Sequence, residues 1–292
     1  MPPQPVRTPR SDDPAEAAPQ RAPGGVAAVR LRIDLAYDGA PFAGFARQRD
    51  QVTVQGTLEA ALGRLLGCQI TSTGAGRTDR GVHALAQVVH LDVPEGSQRA
   101  ASLVADPTML RARLDHLVGP AITVWAVRRV PRHFDARFSA RSREYRYRLV
   151  DAVTADPIRR SDRWHVGEPL DVGAMRRGAR LLLGEHDFAS FCRRAPGRTT
   201  VRRLTLATVT RPGPGRVDVR LVGTAFCHQQ VRAIVGCLVE VGRGRRPSGW
   251  IGEVLAARDR AAAARVAPPH GLTLERVGYG PGVPAAPPPG VR

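Results

Sequence analysis

Gly76-Arg77-Thr78-Asp79-Arg80-Gly81-Val82-His83-Ala84-Leu85-Ala86-Gln87 sets one carboxylate, Asp79, between two arginines and two glycines, just before an alternating run from Ala84 to Val93 that reads as a strand. Flanking guanidinium charge favours the carboxylate form, and glycines let backbone approach a bound ligand, so the segment suits a nucleophile or general base. On spacing alone it also reads as a glycine-rich turn closed by an Asx hydrogen bond.

Upstream of this segment, Leu31, Ile33, Leu35 and Tyr37 alternate with Arg32, Asp34 and Ala36, which predicts a half-buried strand ending at the Asp38-Gly39 turn. Leu58, Leu62, Leu65 and Leu66 share one face of a helix over Gln55 to Leu66. Downstream, Asp106-Pro107 opens a second helix with Leu110, Leu114 and Leu117 on one side, and Ala121 to Val130 completes a β-α-β-α-β half. The same grammar returns from Arg143. A strand to Val150 carries Tyr145, Tyr147 and Leu149 on one face; a helix follows from Val172 to Leu183; Thr205 to Thr210 and Val217 to Val222 pair across a Pro-Gly-Pro-Gly turn. Gln229 to Val241 reads as a buried helix, and Trp250 to Ala264 as another. Strands interleave with helices and hairpins, so the pattern predicts an α+β fold with antiparallel sheets rather than a doubly wound parallel one.

The ends differ in character. Residues 1–29 hold seven prolines and residues 281–292 five, without apolar periodicity, so both are expected to be disordered tails around a core of two halves, 30–133 and 134–280. No apolar run is long enough to cross a membrane and no signal-peptide core is present, which points to a soluble, cytoplasmic protein. Cys68, Cys192, Cys227 and Cys237 lie at no metal-ligand or CxxC spacing and are expected as reduced thiols, with no metal site. The formal charge is +18, from 44 basic and 26 acidic residues, and every basic residue is arginine. Such an excess predicts a polyanionic partner, RNA first. Two arginine clusters give it a footprint: eight between Arg128 and Arg148, and Arg193, Arg194, Arg198, Arg202 and Arg203.

The opening segment resembles the GRTDxGVHA signature of the tRNA pseudouridine synthase A family. Four further blocks resemble that family in the same order: Tyr37-Asp38-Gly39 to Phe45, Thr53 to Glu59, Ala136-Arg137-Phe138 to Tyr147, and Ala225-Phe226 to Gly242. The resemblance spans Leu31 to Gly280. It implies two RNA-recognition-like halves whose antiparallel sheets join into a central sheet, helices outside and the active cleft between them. It also implies a homodimer that acts on the anticodon arm of tRNA, isomerising uridine to pseudouridine at positions 38 to 40 with no cofactor.

By motif match the resemblance makes Asp79 the catalytic carboxylate, with attack on the ribose C1′ and addition to the uracil ring both open. Arg77 is then expected to help draw the target base from its stack. Tyr145 is expected against that base with its hydroxyl available for proton transfer, although alternation alone reads both Tyr145 and Tyr147 as core. Arg232 lies among Val231, Ile234 and Val235, so burial demands a counter-charge, and Asp79 is the expected partner. Loss of Arg232 is expected to cost about 3 to 5 kcal/mol. Phe226, Leu272 and Leu274 complete the expected substrate-binding set, with core packing an equal reading for the two leucines.

The chain departs from the family at Phe45, where tryptophan is usual, at Ala46 for glutamine and at Gln230 for methionine. The stretch from Arg111 to Pro120 also lacks the family's Asn-x-x-Leu-Pro wording. Two other functions stay open on the residues: a catalytically silent RNA-binding or RNA-chaperone protein on the same scaffold, and an N-glycosidase that releases free base.

Overall fold

In the computed structural model, residues 28–95, 98–154, 156–158, 160–193 and 197–280 are described, so the two proline-rich tails lie outside them apart from Ala28 and Val29. The described strands are β1 (Ala28–Tyr37), β2 (Ser72–Gly74), β3 (His83–Pro94), β4 (Ile122–Arg129), β5 (Ser142–Val150), β6 (Trp164–His165), β7 (Gly184–Asp187), β8 (Val201–Gly213), β9 (Arg216–Gly223) and β10 (Leu272–Gly278). The helices are α1 (Val54–Leu66), α2 (Gln98–Ala105), α3 (Pro107–Val118), α4 (Val172–Arg180), α5 (Gln230–Gly242) and α6 (Trp250–Ala257).

The strands form one sheet in the order β4-β1-β3-β10-β5-β9-β8-β7, with β2 on β3 and β6 on β5. Pairing is antiparallel except for β10 with β3 and β5 with β6. The α+β architecture with joined antiparallel sheets is thus the observed one. Its seam is β10, the last of the described strands. Leu274 pairs with Ala84 of β3 on one side and with Tyr145 of β5 on the other. That register carries Tyr145 to within one strand of the segment that follows Asp79.

Helices α1 and α3 form where the leucine spacing predicts, except that Leu117 is exposed and Val118 takes the third buried position of α3 beside Leu110 and Leu114. Thr53 caps α1 by accepting from Gly56 N at 3.2 Å, Gly67 ends it in the left-handed region, and Leu58, Leu62, Leu65 and Leu66 are buried. Asp106 caps α3 in the same manner. Nearly every residue of α5 is apolar, and the helix is buried almost all round. The segment after α6 crosses it at Gly236, where a Cβ would stand 2.0 Å from Arg265 O, so only glycine admits the crossing.

The polar face of β1 departs from the expectation of a half-buried strand. Arg32 and Asp34 are both buried. Arg32 bonds Asp34 at 2.6 Å, and its guanidinium lies 4.9 Å from the Tyr279 ring and 5.6 Å from that of Phe134. Arg128 reaches Asp34 from β4 at 2.9 Å. β1 also begins at Ala28 rather than Leu31. Helix α4 ends at Arg180, and α6 ends at Ala257 because Arg258 turns left-handed (φ 50°) and Asp259 starts a separate short turn. Helix α2 and the short strands β2, β6 and β7 carry no counterpart in the sequence reading.

Candidate active site

Asp79 stands in the turn ahead of β3, on a frame of buried polar groups. The Tyr37 hydroxyl and Thr78 Oγ1 are 2.8 Å apart, and Gln87 Nε2 donates to Gly76 O at 2.8 Å. Phe45 N donates to Thr78 O, and Val82 N to Asp79 O, each at 3.1 Å. The Asp38-Gly39 turn lies against the far side. A Cβ on Gly39 would sit 2.1 Å from Val82 O, and Gly39 N donates to His83 Nδ1 at 3.1 Å. The separate block from Tyr37 to Phe45 is therefore part of the scaffold that fixes the backbone on either side of Asp79.

The carboxylate is 21% exposed and reaches two side chains from the far half of the chain. Arg232 Nη1 donates to Asp79 Oδ2 at 2.7 Å, while Arg232 Nε donates to Ala267 O at 2.8 Å. Two of its nitrogens are so committed, which fixes the plane of the guanidinium and with it the direction of the carboxylate. The expected pairing is present. Arg232 is less enclosed than its apolar flanks suggest, however, with 13% of its side chain in solvent. His228 Nε2 lies 3.3 Å from the other oxygen, Oδ1, and is half exposed. The sequence reading gives His228 no role, and because His228 precedes α5 no helical spacing ties it to Arg232.

Tyr145 closes the site from the sheet. Its ring is buried, stands edge-on to Phe226 with centroids 5.1 Å apart, and brings its hydroxyl 3.8 Å from where a Cβ of Gly76 would be. Burial pushes the phenol up to about 12, with the Asp79 charge adding to the rise, so it is a neutral hydroxyl. Among the described residues that hydroxyl has no hydrogen-bond partner. Tyr147 is different: its hydroxyl donates to Pro268 O at 2.7 Å and burial raises it further still. Leu274 pairs with Tyr145 and Leu272 with Tyr147, and they are 0% and 5% exposed. Both leucines back the tyrosines and present almost no surface of their own, the core placement of the two readings. Phe226 is half-buried at the rim.

Beneath the site, Arg143 is buried without a carboxylate. It donates to Ala75 O, Arg137 O, Ala140 O and Thr224 O, at 2.8, 2.6, 3.0 and 2.7 Å. Burial lowers its pKa. It ties the strand leading to the signature to the loop that carries Phe226 and His228, a structural role in place of the RNA contact expected of its cluster.

Arg77 and Arg80 are exposed and have no bonded partner among the described residues, which leaves both guanidinium groups open to a ligand. The arginine clusters divide. Of the eight from Arg128 to Arg148, Arg129, Arg132, Arg137 and Arg141 are exposed. Arg146 and Arg148 instead each bond Glu275 at 2.9 Å, and Arg128 and Arg143 are engaged as described. Internal acids and carbonyls take up half of the expected footprint. In the second cluster Arg193, Arg198 and Arg203 are exposed, Arg202 is half-buried, and Arg194 lies outside the described residues.

One expectation is overturned beside the site. Cys192 and Cys227 form a disulfide, with Cα atoms 5.8 Å apart, so the reduced-thiol reading holds for Cys68 and Cys237 alone. Hollows of about 810 Å³ beside Asp171 and about 370 Å³ beside Asp38 do not include Asp79, whose partly exposed carboxylate lies between the exposed Arg77 and Arg80 in the chain. No helix among the described residues is long and apolar enough to cross a membrane.

The family model described as tRNA pseudouridine synthase matches residues 35–139 and 179–280. A protein named tRNA pseudouridine synthase A from Frankia casuarinae is 48% identical over 255 residues, covering 87% of this chain and 90% of its own. Its namesake from Streptomyces griseus is 44% identical, covering 86% and 88%. Another from Ralstonia nicotianae is also 44% identical, covering 86% and 90%.

Proposed function

The chain belongs to the tRNA pseudouridine synthase family of isomerases, and from that premise we propose that it converts uridine to pseudouridine in the anticodon stem-loop of tRNA, at positions 38 to 40, with Asp79 as the catalytic carboxylate. The observation that carries this reading is the Asp79 carboxylate held at 2.7 Å by Arg232, beside a neutral Tyr145 hydroxyl that has no partner among the described residues.

The reaction breaks the N1–C1′ bond, turns the enclosed uracil, joins C5 to C1′, and exchanges the hydrogen on C5 for one on N1. No atom is gained or lost, and carboxylate, proton carrier and enclosure suffice. Asp79 works at the glycosidic centre, by attack on C1′ or by addition to the ring. Arg232 directs it. Tyr145 lies against the base and presents a hydroxyl for the proton on its way between carbon and nitrogen. Arg77, exposed beside the acid, fills the space that the everted base leaves and offsets part of the few kcal/mol of unstacking. Phe226 forms the outer wall of the pocket, with Leu272 and Leu274 behind the tyrosines. The exposed arginines hold phosphates, so binding weakens as salt rises. The two halves, 30–133 and 134–280, contribute the acid and its guide respectively, and the protein works in the cytoplasm as a homodimer.

Incubation with unmodified tRNA followed by digestion to nucleosides tests this. Pseudouridine at the anticodon arm is the expected product. Free uracil would mean an N-glycosidase, and unchanged uridine with retained binding a silent RNA-binding protein.

A further inference from the structure

Phe138 is 68% exposed, whereas the other six phenylalanines are buried or half-buried. Lone exposed apolar side chains are common and by themselves mean little. This one is displayed by a rigid turn. Asp135 Oδ1 accepts from both Arg137 N and Phe138 N, at 2.7 and 2.8 Å, and Ser139 Oγ accepts from Asp135 N at 3.0 Å. The residue between, Ala136, is pinned on both sides, since Ala136 N donates to His90 Nδ1 at 2.9 Å and the Tyr279 hydroxyl donates to Ala136 O at 2.7 Å. These bonds fix the backbone of the turn that presents the ring to solvent.

Its place is at the margin of the site. A single nitrogen of Arg143, Nη2, donates to Arg137 O at 2.6 Å and to Ala75 O at 2.8 Å, so the turn and the strand entering the Asp79 loop share one anchor. The Arg137 guanidinium lies 5.0 Å from the Phe138 ring centroid, and the exposed neighbours Arg132 and Arg141 add positive charge. An apolar protein partner would be matched by further apolar surface around the ring; here the surround is cationic, in a chain of charge +18.

We propose that Phe138 is a stacking platform for a nucleobase of the tRNA flanking the target uridine, with Arg137 at the neighbouring phosphate. Aromatic side chains flanked by arginines bind single-stranded or unpaired bases in this manner, through the π-face and without reading the base edge. The proposal rests on the functional reading above and adds to it a second contact, outside the pocket, that holds the loop while its neighbour is turned out.

The test compares wild type with Phe138→Ala, Phe138→Leu and Phe138→Tyr on an unmodified tRNA transcript, measuring Kd and kcat/KM together with the melting temperature and the sedimentation of the free protein. Removal of the ring is expected to weaken Kd by between about fivefold and about 150-fold, the range of one base stack, at unchanged melting temperature. Tyrosine should restore binding to within about twofold and leucine should not, since stacking requires the π-face. An alanine variant with the Kd of wild type overturns the proposal, as does leucine performing as well as tyrosine. A change in self-association with Kd unaltered assigns the ring to a protein contact and overturns it too. If wild type binds tRNA but forms no pseudouridine, the functional reading falls while the Kd series still decides the stacking; if wild type binds no tRNA, both fall.

Discussion

Arg232 Nη1 and Asp79 Oδ2 are 2.7 Å apart across 153 residues of sequence, and this contact joins the two halves of the protein at the point where the chemistry is proposed. It depends on β10 pairing with both β3 and β5, and on the segment ending at Ala267 crossing α5, since Ala267 O holds the other edge of the same guanidinium.

Arg232→Ala is expected to abolish turnover and to lower stability by about 1 to 3 kcal/mol, less than for a fully buried pair because both partners retain some solvent. Arg232→Lys keeps the charge but offers no planar fork, so it should recover stability better than rate. Thermal melts and single-turnover kinetics check this; an alanine variant equal to wild type in both would remove the pair from the account.

Tyr145→Phe removes only a hydroxyl that has no partner among the described residues. Its expected stability change is within about 0.5 kcal/mol, and its expected rate loss about a hundredfold to ten-thousandfold, the range for a lost general acid or base. Because burial pushes this phenol up to about 12, a decline in kcat at lower pH than that arises from another group. Turnover by the phenylalanine variant at the wild-type rate would confine Tyr145 to packing.

His90 is held below the ordinary imidazole range, by burial first and by Arg30 as well, against the pull of Asp135 and Asp92. Its neutral Nδ1 accepts from Ala136 N. The unfolded chain therefore binds the proton more readily than the folded one, so this contribution to stability is full above about pH 6.5 and declines as the pH falls below it. The melting temperature should drop from about pH 7 to about pH 5, and His90→Asn, whose carboxamide oxygen can accept the same N–H, should flatten that slope. Equal slopes would show that other groups carry the acid sensitivity.

Much of this fold is legible in the sequence wherever a period repeats long enough to be read. The leucine face of α1, the alternation of β3, β5 and β9, and the apolar run of α5 each span eight residues or more. Strands of two to four residues such as β2, β6 and β7 are too short for an alternation of period two to stand out and leave no such mark. The alanines after Ala257 mimic a continuing helix, but Arg258 turns left-handed there. Alternation also assigns Arg32 and Asp34 to solvent, because nothing local announces that Phe134 and Tyr279 will arrive to cover them.

In the site, apolar flanks around Arg232 call for a counter-charge, and the family resemblance, which marks Asp79 as the catalytic acid, points to that residue as the partner. His228 and Arg143 cannot be placed in that way. His228 is set against Asp79 only by the backbone turn ahead of α5, where Gln229 adopts φ 65°. Arg143 has the local sequence of an RNA-facing arginine, and the carbonyls of Ala75 and Thr224 that occupy it come from segments far along the chain.

The most direct measurement follows the hydrogen that the reaction must displace. A tRNA transcript carrying tritium at C5 of uracil should release it to water with wild-type protein, in step with pseudouridine at the anticodon arm. Asp79→Asn should bind the same tRNA with unchanged Kd and release none. Release by the asparagine variant at the wild-type rate would contradict the assignment of Asp79 as the catalytic carboxylate.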